Sequence, residues 1–444
     1  MMNFREKVLN LAKVVRTETE GVEFHIVAYR DNSILTRFAD TSVHQNMIRE
    51  NTNFSIFLSD GERFISVDLN SMDEKVWKRK LRDSLELLKL MPKVGFDIDL
   101  KEKGRMHEEK YTDIETLEDL PSRTAKIIEK IFRVTGDGAY GSLKIGDVSL
   151  MLVNSNGLEK YTRFSPMELN LIVVRGDGSA HVGWGGWKLS TLEEKLDEMT
   201  ENVVKMAENS RNQVEIELGE YGVILSPEVV SDIAMYTSIL LCDGKLHEEN
   251  LSPSVKLLGK EIGPHHLNLL DDPEDEELIP FKFDLAGTER KRFKLIEDGK
   301  LVGLMFNFLS SLKYGKENTG HTVNMVNMDY SFPMNLVLKS GEKSISDIMK
   351  ESDGYIYISR FHYTNIVNPM ETLITGLTRD GTFILKDGKF EKPLKNMRFN
   401  FSIIELFRNI EDVSKESEVV PLEYTGLFSK MPYLKIRKFR FTSS

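Results

Sequence analysis

The chain carries a single cysteine, Cys242, in 444 residues. An internal disulfide is therefore excluded, and the composition suits a reducing compartment. No run of about 18 apolar residues occurs, so no ordinary membrane-spanning helix is expected. The opening segment MMNFREKVLNLAK lacks an apolar core of signal-peptide length. Positive charge is not in excess either. A formal net charge of -11 argues against a general nucleic-acid binder, whose footprint is basic. By elimination the expected location is the cytoplasm, with neither nucleic acid nor membrane among the partners.

Histidine is scarce, and none of it is spaced as a zinc peptidase needs. Such a helix sets two imidazoles one turn apart with a water-activating glutamate between them, as in H-E-x-x-H. The stretch DGKLHEENLS (243–252) has Leu251 four positions after His247 and Ser252 five after. Pro253 then disfavours helix at Ser252. His107-Glu108 is followed by Tyr111. Among His25, His44, His181, His265, His266, His321 and His362, no two lie three to five apart. Both His-Glu pairs read as ordinary polar surface. An unusual metal site on His265, His266 or His321 is the rival reading, but adjacent histidines on a strand point to opposite faces and chelate poorly. The run DDPEDEEL (271–278) lacks EF-hand spacing and reads as an exposed acidic loop. The segment RGDGSAHVGWGGW (175–187) lacks the P-loop ending, so its glycines are expected to serve close strand packing. The odd spacing of Trp184 and Trp187 places only one of them in the core.

What remains is a chain built to fold. Apolar content of 40% and charged content of 29% suit a globular protein with real cores, and the length suggests two or three domains. Helical periodicity places Phe4, Val8, Leu11 and Val15 on one face, and predicts further helices over about 72–91, 121–133 and 190–209. The last of these opens on a capping box, Ser190 to Glu193. Strand patterns run over 22–29, 33–39, 52–59, 63–69, 146–154, 168–175, 179–188 and 213–226, and the charged stretch 99–113 reads as a loop. Ser226-Pro227 signals the start of an apolar helix to about 241. Beyond Leu257 short strands alternate with turns, and Asp298-Gly299 and Asp387-Gly388 read as hairpin dipeptides. The fold class is thus α+β: an α+β half with a mixed or antiparallel sheet (1–212), then a mainly antiparallel β half (213–444).

Several stretches resemble the TldD and PmbA family, PmbA being also called TldE and once described as a modulator of DNA gyrase. They are TRFADTSVHQN (36–46), VNSNGLEKYT (153–162), LLDDP (269–273), PFKFDLAGTERKRFKLIEDGKLVG (280–303), NTGH (318–321) and LTRDGTFILKDGKFEKPLKNMRFNFSIIELFRNI (377–410). They follow the family's order from about residue 20 to 410. The resemblance implies a division by chemistry. TldD-type members carry a His-Glu-x-x-x-His zinc motif on the helix that opens the C-terminal half, and a late cysteine ligand. Here that helix, SPEVVSDIAMYTSILLCDG, has no histidine, and no cysteine follows Cys242. The resemblance therefore points to the PmbA/TldE type: a subunit without zinc of its own, paired with a zinc-bearing TldD-type partner or with itself as a homodimer, acting on unfolded peptides. A regulatory binding protein of the gyrase-modulator kind is the alternative. No acid–base or nucleophile–base pair is assigned. The candidate peptide-binding residues are His321 and Asn324 in the NTGHTVN loop, and Arg360, His362 and Asn365 around SRFHYTN.

Overall fold

The computed structural model describes residues 3–71, 73–105, 109–114, 119–325, 330–422 and 425–443. The His107-Glu108 pair lies outside them. The first half carries the strands β1 (Glu23–Ala39), β2 (Ser42–Ser59), β3 (Phe64–Leu69), β4 (Gly104–Arg105), β5 (Glu109–Tyr111), β6 (Ala139–Asn154), β7 (Leu158–Phe164), β8 (Met167–Arg175) and β9 (Gly178–Gly186). They form one mixed sheet in the order β3-β2-β1-β6-β7-β4. The long β6 serves two partners along one edge: its first half pairs with β8 and its second with β7. Two residues of the expected loop at 104–105, and three at 109–111, instead pair in parallel with β7. A charged composition does not prevent a short edge strand when a partner lies alongside.

Helices α1 (Phe4–Glu18), α2 (Glu74–Leu90), α3 (Leu120–Thr135) and α4 (Leu189–Asn209) cover this sheet. Helix α1 is fixed by a reciprocal cap between Asn3 and Glu6, and buries Val8, Leu11 and Val15 against Ile26, Phe54 and Trp77. Helices α3 and α4 cover the β8–β9 arm, where Ile128, Ile131, Leu192 and Leu196 meet Leu143, Leu169 and Trp184. The capping box expected at Ser190 does not form. Asp113, from a distant segment, accepts the N–H of Leu189 at 2.8 Å and of Ser190 at 2.9 Å, and Ser190 turns its hydroxyl to the same carboxylate.

The second half contains β10 (Glu220–Leu225), β11 (Leu269–Asp271), β12 (Phe293–Glu297), β13 (Lys300–Leu301), β14 (Leu336–Leu338), β15 (Ile356–Asn368), β16 (Leu373–Lys386), β17 (Lys389–Pro393), β18 (Arg398–Ser402), β19 (Ile410–Leu422) and β20 (Leu427–Ser443). The strand expected over 213–226 is laddered only at 220–225; before it, Val214 makes an isolated bridge to Leu394. Strands β10, β15, β16, β18 and β20 pair in turn, and β10 also pairs β20, so these five close on themselves. Phe361, Phe399 and Phe439 meet ring to ring among them. The architecture is α+β, with a C-terminal sheet that is mainly antiparallel; β10–β15 and β14–β20 are its parallel pairs. Both expected hairpin turns form. Asp298 and Gly299 stand at φ 49° and 74°, and Asp387 and Gly388 at 49° and 72°, the positive pair that a two-residue turn between twisted strands requires.

Helix α5 (Pro227–Cys242) follows β10 directly. The Ser226 hydroxyl accepts the N–H of Val229, Pro227 occupies the first turn, and the helix is buried along most of its length. The short helices of this half are α6 (Gly244–Glu248), α7 (Ser254–Leu257), α8 (Phe308–Tyr314), α9 (Ile345–Lys350) and α10 (Ile403–Arg408). No helix among the described residues is long and apolar enough to cross a membrane. The two sheets share a core in which Val27, Phe57 and Leu150 meet Phe283, Phe308 and Phe428.

Candidate functional site

Where β8 and β9 meet the N-terminal end of α5, polar groups replace the apolar core. A cavity of about 390 Å³ opens there, lined by Glu168, Asn170, His181, Glu228, Asp232 and Arg360 among others. Glu228 and Asp232 stand one helical turn apart on α5, so they share a face. That face of an otherwise apolar helix looks into the cavity. His181 projects from β9 with Nδ1 2.9 Å from Glu228 Oε2. The Gly183 N–H donates to the other Glu228 oxygen at 2.9 Å. On its far side His181 Nε2 lies 3.3 Å from Asn170 Oδ1, and the Asn170 amide donates to Glu168 at 2.6 Å. Burial alone would raise the Glu228 carboxyl, but His181, the Gly183 N–H and Arg360 outweigh it and hold the group below its ordinary value.

Arg360 reaches the same place because β16 bulges. Ile358 pairs with Thr382 and Arg360 with Arg379, so Ser359 alone opposes Asp380 and Gly381. Such a two-against-one bulge re-aims neighbouring side chains. Asp380 sits in the left-handed region at φ 53°, accepts the Ser179 hydroxyl at 2.7 Å, and lies 3.5 Å from Arg360 Nε. The cluster thus offers carboxylates, an imidazole, an amide and a guanidinium, groups suited to holding charged ends and main-chain amides.

Of the five residues singled out from sequence, Arg360 alone lines this cavity. His362 lies further along β15, half-buried beside Tyr363, and the exposed Asn365 donates to the Tyr363 carbonyl at 2.9 Å. Asn324 lines a separate cavity of about 400 Å³ with Val27, Tyr29 and Phe281. His321 is buried, its Nε2 3.0 Å from Asp271 Oδ2 and its Nδ1 2.8 Å from the Thr319 hydroxyl. Arg290 donates to the same Asp271 oxygen. Burial would raise Asp271, yet Arg290 and His321 hold it well below the usual carboxylate range. Asp271 and Asp272 are buried, so the run 271–278 is not the exposed loop expected; two arginines draw its first two carboxylates inward. His265 and His266 stand in an exposed turn rather than a strand. His247 lies on α6 with Nδ1 3.0 Å from the Ser254 hydroxyl. Sequence reasoning missed His181, Glu228 and Asp232. The i, i+4 carboxylates on an apolar helix were the available signal for the last two.

A metallopeptidase centre does not fit these side chains. Helix α5 offers no imidazole, and no group of three or more His, Cys, Asp or Glu among the described residues is arranged to hold a metal ion.

Known proteins place the chain. It is 25% identical over 282 residues to an uncharacterised protein of Methanocaldococcus jannaschii, covering 61% of this chain and 63% of that one. It is 26% identical over 237 residues to a zinc metalloprotease TldD homolog of Saccharolobus solfataricus, covering 50% of each. The match thus spans less than two thirds of these curated relatives. Solved structures match along the full length: TldE from Thermococcus kodakarensis at TM-score 0.85 and 19% identity, covering 98% of this chain and 100% of that one, and a proposed modulator of a DNA gyrase from Thermotoga maritima at 0.82 and 17%, covering 99% and 100%. Residues 218–443 match the family model described as the PmbA/TldA metallopeptidase C-terminal domain, and the chain belongs to this PmbA/TldD family.

Proposed function

We propose that the chain is a PmbA/TldE-like subunit of a metallopeptidase assembly. It holds no zinc itself, pairs with a TldD-type subunit that does, and helps enclose unfolded or short peptides for cleavage. The observation that carries this is the face of α5. By the family resemblance, this helix bears the zinc motif in TldD-type members. Here it turns Glu228 and Asp232 into a cavity, with Glu228 occupied by His181 and Gly183. The surrounding groups suit the amides and charged ends of an extended peptide. The proposed location is the cytoplasm, where Cys242, buried at the end of α5, stays a thiol.

Zinc per chain, measured alone and after mixing with a TldD-type subunit, tests the reading alongside cleavage of a disordered peptide. The chain alone is expected to hold no stoichiometric zinc and to cleave nothing; the mixture is expected to cleave, and a chelator to stop it. Tightly held zinc in the isolated chain, with cleavage that a chelator abolishes, overturns the proposal. Stable capture of a topoisomerase with no gain in proteolysis from any TldD-type partner would favour the regulatory alternative instead.

A further inference from the structure

Behind the His181–Glu228 pair lies a second cavity, of about 630 Å³, roofed by α4 and floored by β15, β19 and β20; His181, Gly183 and Glu228 form part of both walls. Its size is that of a ligand pocket. Its lining divides by chemistry. Met199, Met206 and Met349 supply flexible, polarizable apolar surface. Two carboxylates, Glu228 and Glu418, and two phenols, Tyr357 and Tyr433, complete the lining; of these Glu418 is exposed. Tyr433 donates to Glu418 at 2.7 Å. Tyr357 is only 6% exposed, yet its hydroxyl makes no hydrogen bond among the described residues. Its oxygen is not one of the fully enclosed, unpartnered polar atoms, so it opens onto the cavity, where a group not belonging to the chain can bond it.

We propose that this cavity receives a primary ammonium or guanidinium group on an aliphatic stem, the basic side chain of a peptide, with the stem against the methionines and the cation between Glu228, Glu418 and the Tyr357 hydroxyl. Two carboxylates facing one cavity repel each other, and a cation between them relieves that repulsion. Burial first, and then the Glu418 and Glu228 charges, raise the Tyr357 hydroxyl. The other charges facing the cavity are Lys195, Glu198 and Lys205 on α4; all three are exposed at its rim. The phenol faces add cation–π attraction. The inference rests on the peptide reading above only for the carrier of the cation.

Titration of the purified chain with n-hexylammonium and with 1-hexanol tests the pocket itself, with fluorescence of Trp184 in its wall as the reporter. The amine is expected to bind about tenfold more tightly, the scale of a charge-assisted hydrogen bond. Glu418→Gln is expected to erase that preference while leaving hexanol binding unchanged. Tyr357→Phe removes a hydroxyl that has no hydrogen-bond partner among the described residues, so it is expected to fold like the parent and to weaken the amine alone. Two disordered peptides differing only in lysine or Nε-acetyl-lysine form the second arm, with the same preference expected and the same loss in Glu418→Gln. Equal affinity for amine and alcohol, or a preference that survives Glu418→Gln, overturns the pocket. An amine preference without binding of either peptide supports the pocket and overturns the peptide as carrier.

Discussion

His25 shows how one side chain ties the two halves together and makes stability depend on pH. It is fully buried on β1, and its Nε2 lies 2.8 Å from the Leu285 carbonyl. A carbonyl only accepts, so Nε2 carries the proton. Nδ1 has no partner. Burial lowers its pKa from 6.5 to about 4, the carbonyl bond opposing in part. Between those values the unfolded chain binds a proton that the folded chain refuses. Stability is therefore complete above about pH 6.5, falls as pH drops toward 4, and levels off below; the full loss is on the order of 3 kcal/mol. Urea midpoints at pH 7 and pH 5 should show the fall, and His25→Gln should flatten it. An unchanged slope in that variant would refute the assignment. The same scale sets a limit on reading sequence. Asp271 looked like part of a solvated acidic run because nothing nearby in sequence announces Arg290, which neutralises it in the fold, or His321, which packs against it.

Elements were legible where their signals are local. The apolar face of α1, the Ser226-Pro227 entry to α5 and the two Asp-Gly hairpins all depend on residues within a few positions of one another, and all form as expected. Signals failed where a distant group did the work of a local one. Ser190 and Glu193 have the spacing of a capping box, but Glu193 is drawn to Arg123, its Oε2 2.8 Å from Nη2, and Asp113 takes over the start of α4. Burial would raise the Asp113 carboxyl, but the N–H groups of Ser190 and Leu189 outweigh it and lower the value. Asp113→Ala is accordingly expected to cost about 1–2 kcal/mol, the range of a lost N-cap. Glu193→Ala should cost under about 1 kcal/mol, because its ion pair is partly exposed. Chemical denaturation of the two variants checks the ranking; a larger loss from Glu193→Ala would restore the capping box.

At the scale of the molecule, the candidate site is a seam, and a seam is what a single sequence shows least. His181 and Glu228 lie 47 residues apart and come from different sheets' surroundings; only the closed path of β10, β15, β16, β18 and β20 sets α5 beside β9. Arg360 was visible as a polar residue in a strand, but not the bulge that aims it. The Gly-rich stretch was read correctly as close packing, and Gly185 shows why. A β carbon there would stand 2.2 Å from Phe428 Cδ1, and Phe428 is buried in the core shared by the two sheets. Gly185 has no positive φ, so space alone excludes a side chain. Gly185→Ala is therefore expected to cost about 1–3 kcal/mol by overpacking, and to displace β9, whose His181 and Gly183 wall both cavities. Phe428→Leu opens room at the same contact while losing some core packing itself. If the two sheets are held apart at that point, the alanine costs less in the Phe428→Leu background than in the parent, and a double-mutant cycle measures the difference. Strict additivity would mean that the strain is absorbed elsewhere and that this contact does not set the spacing of the site.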